Sequence, residues 1–368
     1  MKIKTLLLLT PLVALLLMGQ SCSSGGDGGF FKSTDLAETW EAKNLLGYSK
    51  AGFLSSSRAI NNDNEDIYTI TVDPSDSNIV YYGTVDNGMF KTVDQAENWT
   101  QLANISGPVL SIAVNPKKSN NLIIANNTNI SRSIDGGENW EVVHTDPQMS
   151  YIRAVAMDWY NPKIIYSTGD SGVVVRSKDG GDNWEIIYQI EDEGFTQIEI
   201  DPFDSRIIYL VSENGALYKS TDTGKTWIKI NEKDFYKDGS WPFDNSDRIY
   251  YFKLSPAQKN MIIARTRSNF IRSTDGGDTW EELVTLLPSG SDQHKLAKNI
   301  VFDPKNKDII YFTVNNVIHK TTNNGLNWHI IESFPSSRPI FSMTNDPENG
   351  DILYGGTRTA EDDSGFIK

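Results

Sequence analysis

Apolar and polar residues alternate along this chain in short runs, and the runs recur. Val109–Val114 reads V-L-S-I-A-V and Gly172–Arg176 reads G-V-V-V-R, each bounded by Gly, Pro, Asn or Asp. Such β-branched runs between turn residues predict strands. No segment sustains the 3.6-residue period of an amphipathic helix. Two punctuation marks repeat in phase with the strands. In the first, an apolar run ends in Asp-Pro or a relative and resumes as Ile-Ile-Tyr or similar. It appears at Asp73-Pro74, Asn115-Pro116, Asn161-Pro162, Asp201-Pro202, Ser255-Pro256, Asp303-Pro304 and Asp346-Pro347. The proline-to-proline steps are 42, 46, 40, 54, 48 and 43 residues. The second is Ser/Thr-x-Asp-x-Gly-x-x-Trp, found at 33–40, 92–99, 133–140, 177–184, 220–227, 273–280 and 321–328, which takes seven of the nine tryptophans.

A period of about 40–45 residues fits a four-stranded propeller blade. Each unit reads as strands A to D, with Asp-Pro making the A–B turn and the tryptophan box the C–D turn. In the second unit these are Val109–Val114, Asn121–Ala125, Ile130–Ser133 and Trp140–His144. Counting strands gives an all-β fold: a seven-bladed β-propeller of four-stranded antiparallel blades. One blade is shared between the N- and C-terminal strands, which closes the ring and protects its edges. Its A and B strands are Ile340–Asn345 and Asp351–Gly355, and its D strand is Trp40–Leu45. Two segments compete for its C strand, Phe30–Ser33 and Gly365–Lys368, and the first leads directly into its own box.

The box reads as a structural device. Its Asp can accept N–H groups of its own turn, Gly supplies the left-handed conformation, and the hydroxyl adds a local bond. The indole then wedges between neighbouring blades, removing about 150–250 Å² from water. The pairs are Asp35 and Trp40, Asp94 and Trp99, Asp135 and Trp140, Asp179 and Trp184, Asp222 and Trp227, Asp275 and Trp280, and Asn323 and Trp328. Ala37 and Ala96 stand where the other boxes have glycine. Calcium is excluded on ligand count, since one or two carboxylates fall short of six to eight oxygens.

These boxes resemble Asp-box (BNR) repeats. Together with the Asp-Pro…Ile-Ile-Tyr motif they are similar to three propeller families over residues 30–368: the photosystem II assembly factors, the N-terminal domain of sortilin, and the xyloglucanase-type glycosidases. The resemblance specifies the fold far more than the function, because sialidases share the box. It implies that the box lies on the rim away from the ligand face.

Composition adds the cellular setting. Met1-Lys2-Ile3-Lys4 and the apolar run Thr5–Met18 read as a secretory signal, residues 1–21, too short to span a bilayer comfortably. The single cysteine, Cys22, follows, and 22–29 reads as a Gly/Ser tether. This resembles a bacterial lipoprotein signal, with Cys22 lipidated; Gly19 stands where that family prefers Leu. The expectation is an exported, membrane-anchored protein of the cell envelope with no disulfide. The net charge is −14, and removing Lys2 and Lys4 with the signal makes it −16. That opposes nucleic-acid binding and bulk attraction to anionic membranes, leaving the lipid anchor as the membrane link. A monomer is expected.

If the A–B and C–D turns share one face, the D–A and B–C loops form the other, which is free to carry a ligand. Its longest loops are 43–66, 231–247 and 286–298. The middle one holds Phe235, Tyr236, Trp241 and Phe243, and Arg265 and Arg267 follow a B strand toward the same mouth. Aromatics on a long loop suit peptide or glycan contact, or packing over the blade tops; an ion pair with a loop acid is the other role for either arginine. "NNDNED" at 61–66 lacks the glycine and closing glutamate of a calcium loop, and the four histidines have no metal spacing. No metal, cofactor or catalytic set is expected. The reading is a non-catalytic propeller that binds an unidentified protein or glycan. The alternative is a glycoside hydrolase, sialidase-like or xyloglucanase-like. The sialidase pattern needs an early arginine, and the first here after the signal is Arg58. The xyloglucanase pattern needs two propellers, and a carboxylate pair at defined separation cannot be selected among 48 acids.

Overall fold

Seven rounds of the alternating pattern become seven four-stranded antiparallel sheets in the computed structural model, which describes residues 27–48, 59–148, 150–230, 248–266, 270–283, 287 and 297–359. Blade I is Ile67–Val72, Val80–Thr84, Met89–Thr92 and Thr100–Gln101, its strands A to D in order. Blades II to VI repeat this over 109–145, 152–189, 195–229, 249–283 and 297–331. Blade VII takes A (Ile340–Asn345) and B (Leu353–Thr357) from the C-terminal side. Its C and D strands, β1 (Phe30–Ser33) and β2 (Glu41–Ala42), come from the N-terminal side. The expected claim of Phe30–Ser33 on this slot is met: β1 pairs with the B strand, Phe30 opposite Gly356 through Ser33 opposite Leu353. The rival segment 365–368 lies outside the described residues.

The core is divided among the seven junctions. Each is filled by one apolar cluster drawn from two neighbouring blades, and each cluster holds one box tryptophan. Between blades IV and V, for example, Val211, Leu217 and Ile230 meet Phe252, Ile262 and Ile271 with Trp280 at the edge. Trp40, Trp99 and Trp328 are buried; the other four indoles are wedged with one side open to solvent.

The boxes hold themselves by one repeated set of bonds. In blade III, Ser177 Oγ donates to Asp179 Oδ1 at 2.8 Å and accepts the Gly181 N–H at 2.8 Å. Asp179 accepts the N–H of Asn183 at 2.9 Å and its side-chain amide at 2.8 Å. Two consecutive residues are left-handed, Gly180 at φ 89° and Gly181 at φ 102°. In the first two boxes non-glycine residues fill both positions, with Ala37 at φ 70° and Ala96 at φ 73°. Asn323 keeps the bond to the N–H of Asn327 at 2.9 Å, so the aspartate charge is dispensable to the turn. Five boxes bond the indole to their own carbonyl, as Trp184 does to Gly181 at 3.0 Å.

A second repeated device joins the blades. The residue before each box hydroxyl is Lys or Arg: Lys32, Lys91, Arg132, Arg176, Lys219, Arg272 and Lys320. Each crosses to the next blade and donates to the carbonyl of the first left-handed residue of that blade's box, at 2.5–3.0 Å. The N–H of that same residue bonds the A–B turn of its own blade, as Gly180 does to Lys163 O at 2.9 Å. One residue per blade therefore ties box, turn and neighbour together. This also fixes A–B turns and boxes at the same end of the ring.

Three local readings are corrected. The A–B turn of blade III is capped by Asp158, not Asn161, since Asp158 Oδ1 accepts the N–H groups of Tyr160 and Asn161 at 2.7 and 3.0 Å. Trp159 thus replaces the proline of the other turns, and the first four cap positions fall 42, 43 and 43 residues apart. The strands of blade II run Leu122–Asn126, Asn129–Ser133 and Glu141–Thr145, because Trp140 turns inward as the wedge before the outer strand pairs. The 43–66 loop carries a hairpin, β3 (Leu45–Tyr48) and β4 (Ala59–Asn61), that lies outside the blades. Leu45 O accepts the Trp99 N–H at 2.8 Å and Lys43 O the Trp99 indole N–H at 2.7 Å, which draws that indole out of the usual box bond.

Candidate functional site

The seven A strands line a central channel of about 710 Å³. Each pairing of strands A and B slips by one residue near the D–A end of the channel. In blade I, Ile67 faces Thr84 and Thr69 faces Gly83, which leaves Tyr68 without a cross-strand partner. Bulges of this kind turn a side chain out of the sheet's plane. The residues so released are Tyr68, Leu110, Arg153, Thr196, Tyr250 and Phe341, and all of them line the channel. One backbone irregularity, repeated round the ring, thus builds a collar at the mouth.

Blade III supplies one of the collar's charges. Arg153 bonds Asp170 in fork geometry, Nε to Oδ1 at 2.5 Å and Nη2 to Oδ2 at 2.8 Å, and its guanidinium lies 5.6 Å from the Tyr151 ring. Burial works against the Arg153 charge, but the Asp170 bonds outweigh it and hold its pKa above the ordinary value. Two blades on, Arg265 at the end of strand B in blade V places its guanidinium 5.1 Å from the Tyr250 ring. Burial pulls its pKa down to about 10, so it stays charged at neutral pH. Arg358 follows the B strand of blade VII. It is buried at 2% exposure behind Phe341 and Tyr68, at 4.6 and 5.6 Å from their ring centres. Three guanidiniums and four aromatic rings therefore gather at one mouth.

Below the collar the channel wall is lopsided. Blades IV and V contribute Glu199 and Lys253, paired at 2.7 Å, with Gln197 donating to Glu199 at 3.1 Å. Burial disfavours the Lys253 charge, but Glu199 outweighs it and raises the lysine's pKa. The facing blades contribute small residues, among them Thr71, Ala113, Ala156 and Thr344. The result is a tube of mixed apolar and polar lining, with the Glu199–Lys253 ion pair in its wall.

Of the residues singled out from the sequence, Arg265 stands at this mouth. The box residues Asp35 to Trp328 stand at the opposite end, as the turn bonds require. Phe235, Tyr236, Trp241, Phe243, Arg267 and Cys22 lie outside the described residues. Tyr68, Tyr151, Arg153, Tyr250, Phe341 and Arg358 escaped the sequence reading. Among the described residues no group of three or more His, Cys, Asp or Glu is arranged to hold a metal ion. None of their helices is long and apolar enough to cross a membrane.

The chain enters the ring on the mouth side. Asp27, Gly28 and Gly29, read from sequence as tether, are already bonded to it. Asp27 accepts the Ser337 N–H at 3.0 Å, Gly28 N–H donates to Asp63 O at 2.9 Å, and Gly29 N–H to Thr357 Oγ1 at 2.8 Å.

Comparison with known proteins gives two kinds of relative. The family described as photosynthesis system II assembly factor YCF48 matches residues 77–240. The xyloglucanase Xgh74A of Acetivibrio thermocellus is 26% identical over 148 residues, covering 33% of this chain and 17% of that one. This chain thus spans under a fifth of the curated relative's length. Among solved structures, a GH74 xyloglucanase from Xanthomonas campestris superposes with TM-score 0.63 at 14% identity, over 80% of this chain and 51% of the other. YCF48 from Cyanidioschyzon merolae gives 0.61 at 12%, over 80% and 96%. A structure described as YCF48 bound to D1 peptide gives 0.59 at 16%, over 80% and 94%. At these identities the superpositions establish a shared fold.

Proposed function

We propose that this Asp-box β-propeller, similar in fold to YCF48 and to the xyloglucanases, is a binding module that grips an extended ligand at the channel mouth. The collar of bulged residues carries the reading. A mouth with arginines and aromatic walls, opening on a tube of mixed apolar and polar lining, fits a segment that ends in, or carries, a carboxylate beside an apolar side chain. A peptide is favoured, and the D1 peptide bound by a protein of this fold is consistent with it. The arginines here are engaged in stacking and in the Asp170 pair, which suits holding a ligand by shape and charge. We further infer export and anchoring through a lipidated Cys22. The entry of residues 27–29 beside the mouth would then hold the mouth toward the membrane. No nucleic-acid role fits the charge, and a monomer suffices for the site.

The test is fluorescence anisotropy with labelled acidic-terminus peptides, wild type against Arg265→Ala and Tyr250→Ala, with thermal melts to confirm folding. Each variant is expected to bind at least tenfold more weakly, and added salt to weaken the wild type. Affinities equal to wild type in folded variants would refute the site. The second reading, a glycoside hydrolase, draws on the xyloglucanase relatives; turnover of soluble β-glucans or sialosides that is lost with mouth variants would establish it instead.

A further inference from the structure

At the other end of the channel, blades III and IV depart from the repeat. The residue two places after each A–B cap is Ser75, Lys117, Ala257, Lys305 and Glu348 in five blades, but Tyr160 in blade III and Phe203 in blade IV. Blade III also carries Trp159 where the others have proline. The three rings are exposed at 49% (Trp159), 59% (Tyr160) and 40% (Phe203). The turns beneath are rigid: Asp158 and Asp201 are buried, and Asp201 accepts the N–H groups of Phe203 and Asp204 at 2.8 and 3.1 Å. Tyr160 Oη donates across the blade boundary to Pro202 O at 3.1 Å, and Lys117 Nζ donates to Tyr160 O at 2.6 Å. The Tyr160 ring, fixed in this way, loses little conformational entropy on binding, and the other two rings stand on turns whose backbone is already held.

We propose that Trp159, Tyr160 and Phe203 form a stacking platform for a neutral glycan chain, independent of the mouth. Three observations select that ligand. The exposed ring area is roughly 200–350 Å², from about 150–250 Å² per aromatic side chain, well below the ~800 Å² per partner of a stable protein interface. The same end of the ring carries the box acids Asp135, Asp179, Asp182 and Asp222, which repel nucleic acid and anionic lipid. The C–H face of a pyranose, slightly positive, matches the negative face of an aromatic ring. Asn161, Lys117 and the Asp204–Arg206 pair (2.6 Å) border the rings and supply donors and acceptors for hydroxyl groups.

Affinity gel electrophoresis through soluble β-glucan, xyloglucan and mannan tests this with the full-length protein. At least one polymer should retard the wild type. Trp159→Ala and Tyr160→Ala should each weaken retardation at least fivefold, and the pair abolish it, while the mouth variant Arg265→Ala keeps it. These side chains lie outside the core, so the variants should melt as wild type does. No retardation by any polymer, retardation surviving the double variant, or retardation lost with Arg265→Ala would each overturn the proposal. So would sedimentation with phosphatidylglycerol vesicles that depends on Trp159.

Discussion

His319 in blade VI is 3% exposed and stacks on Phe312, ring centres 4.4 Å apart and planes 8° from parallel. Its Nδ1 has no hydrogen-bond partner among the described residues. Burial alone lowers its pKa from 6.5 to about 4. An unfolded chain therefore takes up a proton below pH 6.5, whereas the folded ring resists protonation until about pH 4. Stability is lost across that window at about 1.4 kcal/mol per pH unit, about 3 kcal/mol in all. Above pH 6.5 the effect vanishes. His319→Phe keeps the ring stack and removes the titration. Urea unfolding followed by tryptophan fluorescence, run on both proteins at pH 7.5, 6, 5 and 4.5, isolates the effect as a difference, because acidic groups common to both cancel. The variant should be near wild type at pH 7.5 and gain on it progressively below pH 6.5. A difference that stays constant with pH would refute the reasoning, and would mean that the imidazole is protonated, or solvated, in the native core.

Three further outcomes test the repeated devices by the same unfolding assay. Gly277→Ala would place an L side chain at φ 94° and bring its Cβ 2.4 Å from Ile230 Cδ1, a side-chain end that can give, so a loss of about 1–2 kcal/mol is expected. Ser177→Ala removes the hydroxyl that accepts the Gly181 N–H and should cost about 1–2 kcal/mol, with an unchanged midpoint counting against the box as a staple. Lys320→Met should cost about 1–3 kcal/mol, since it leaves the Leu36 carbonyl without its partner across the last junction while Glu38, exposed, returns to water.

What the sequence reveals here is whatever repeats within a few residues. The boxes, the strand count and the shared closing blade are all readable because tryptophan, aspartate and glycine recur at fixed spacing for local reasons. The cationic latch was equally regular, in the Lys or Arg before every box hydroxyl, but its partner sits a blade away and a charged residue beside a turn ordinarily reads as solvated. In blade III the dipeptide Asn161-Pro162 mimics the turn motif three residues late; even cap spacing would have favoured Asp158. The mouth is hardest to see. Tyr68, Arg153, Tyr250 and Phe341 belong to different blades and converge only through closure of the ring. Their one signal shared by all is position, each being the second residue of an inner strand, while Arg153, and Leu110 and Thr196 in the same place of blades II and IV, interrupt the aromatic pattern.

The seam between β1 and the last B strand has a temporal meaning. Gly29 bonds Thr357 across 328 residues, so the ring cannot close until Thr357 has been made. Until that moment it is an arc with two apolar faces, one at blade I and one at blade VI. Any factor that escorts this protein would therefore act on the unsealed arc, and its point of release would be the arrival of the final strand.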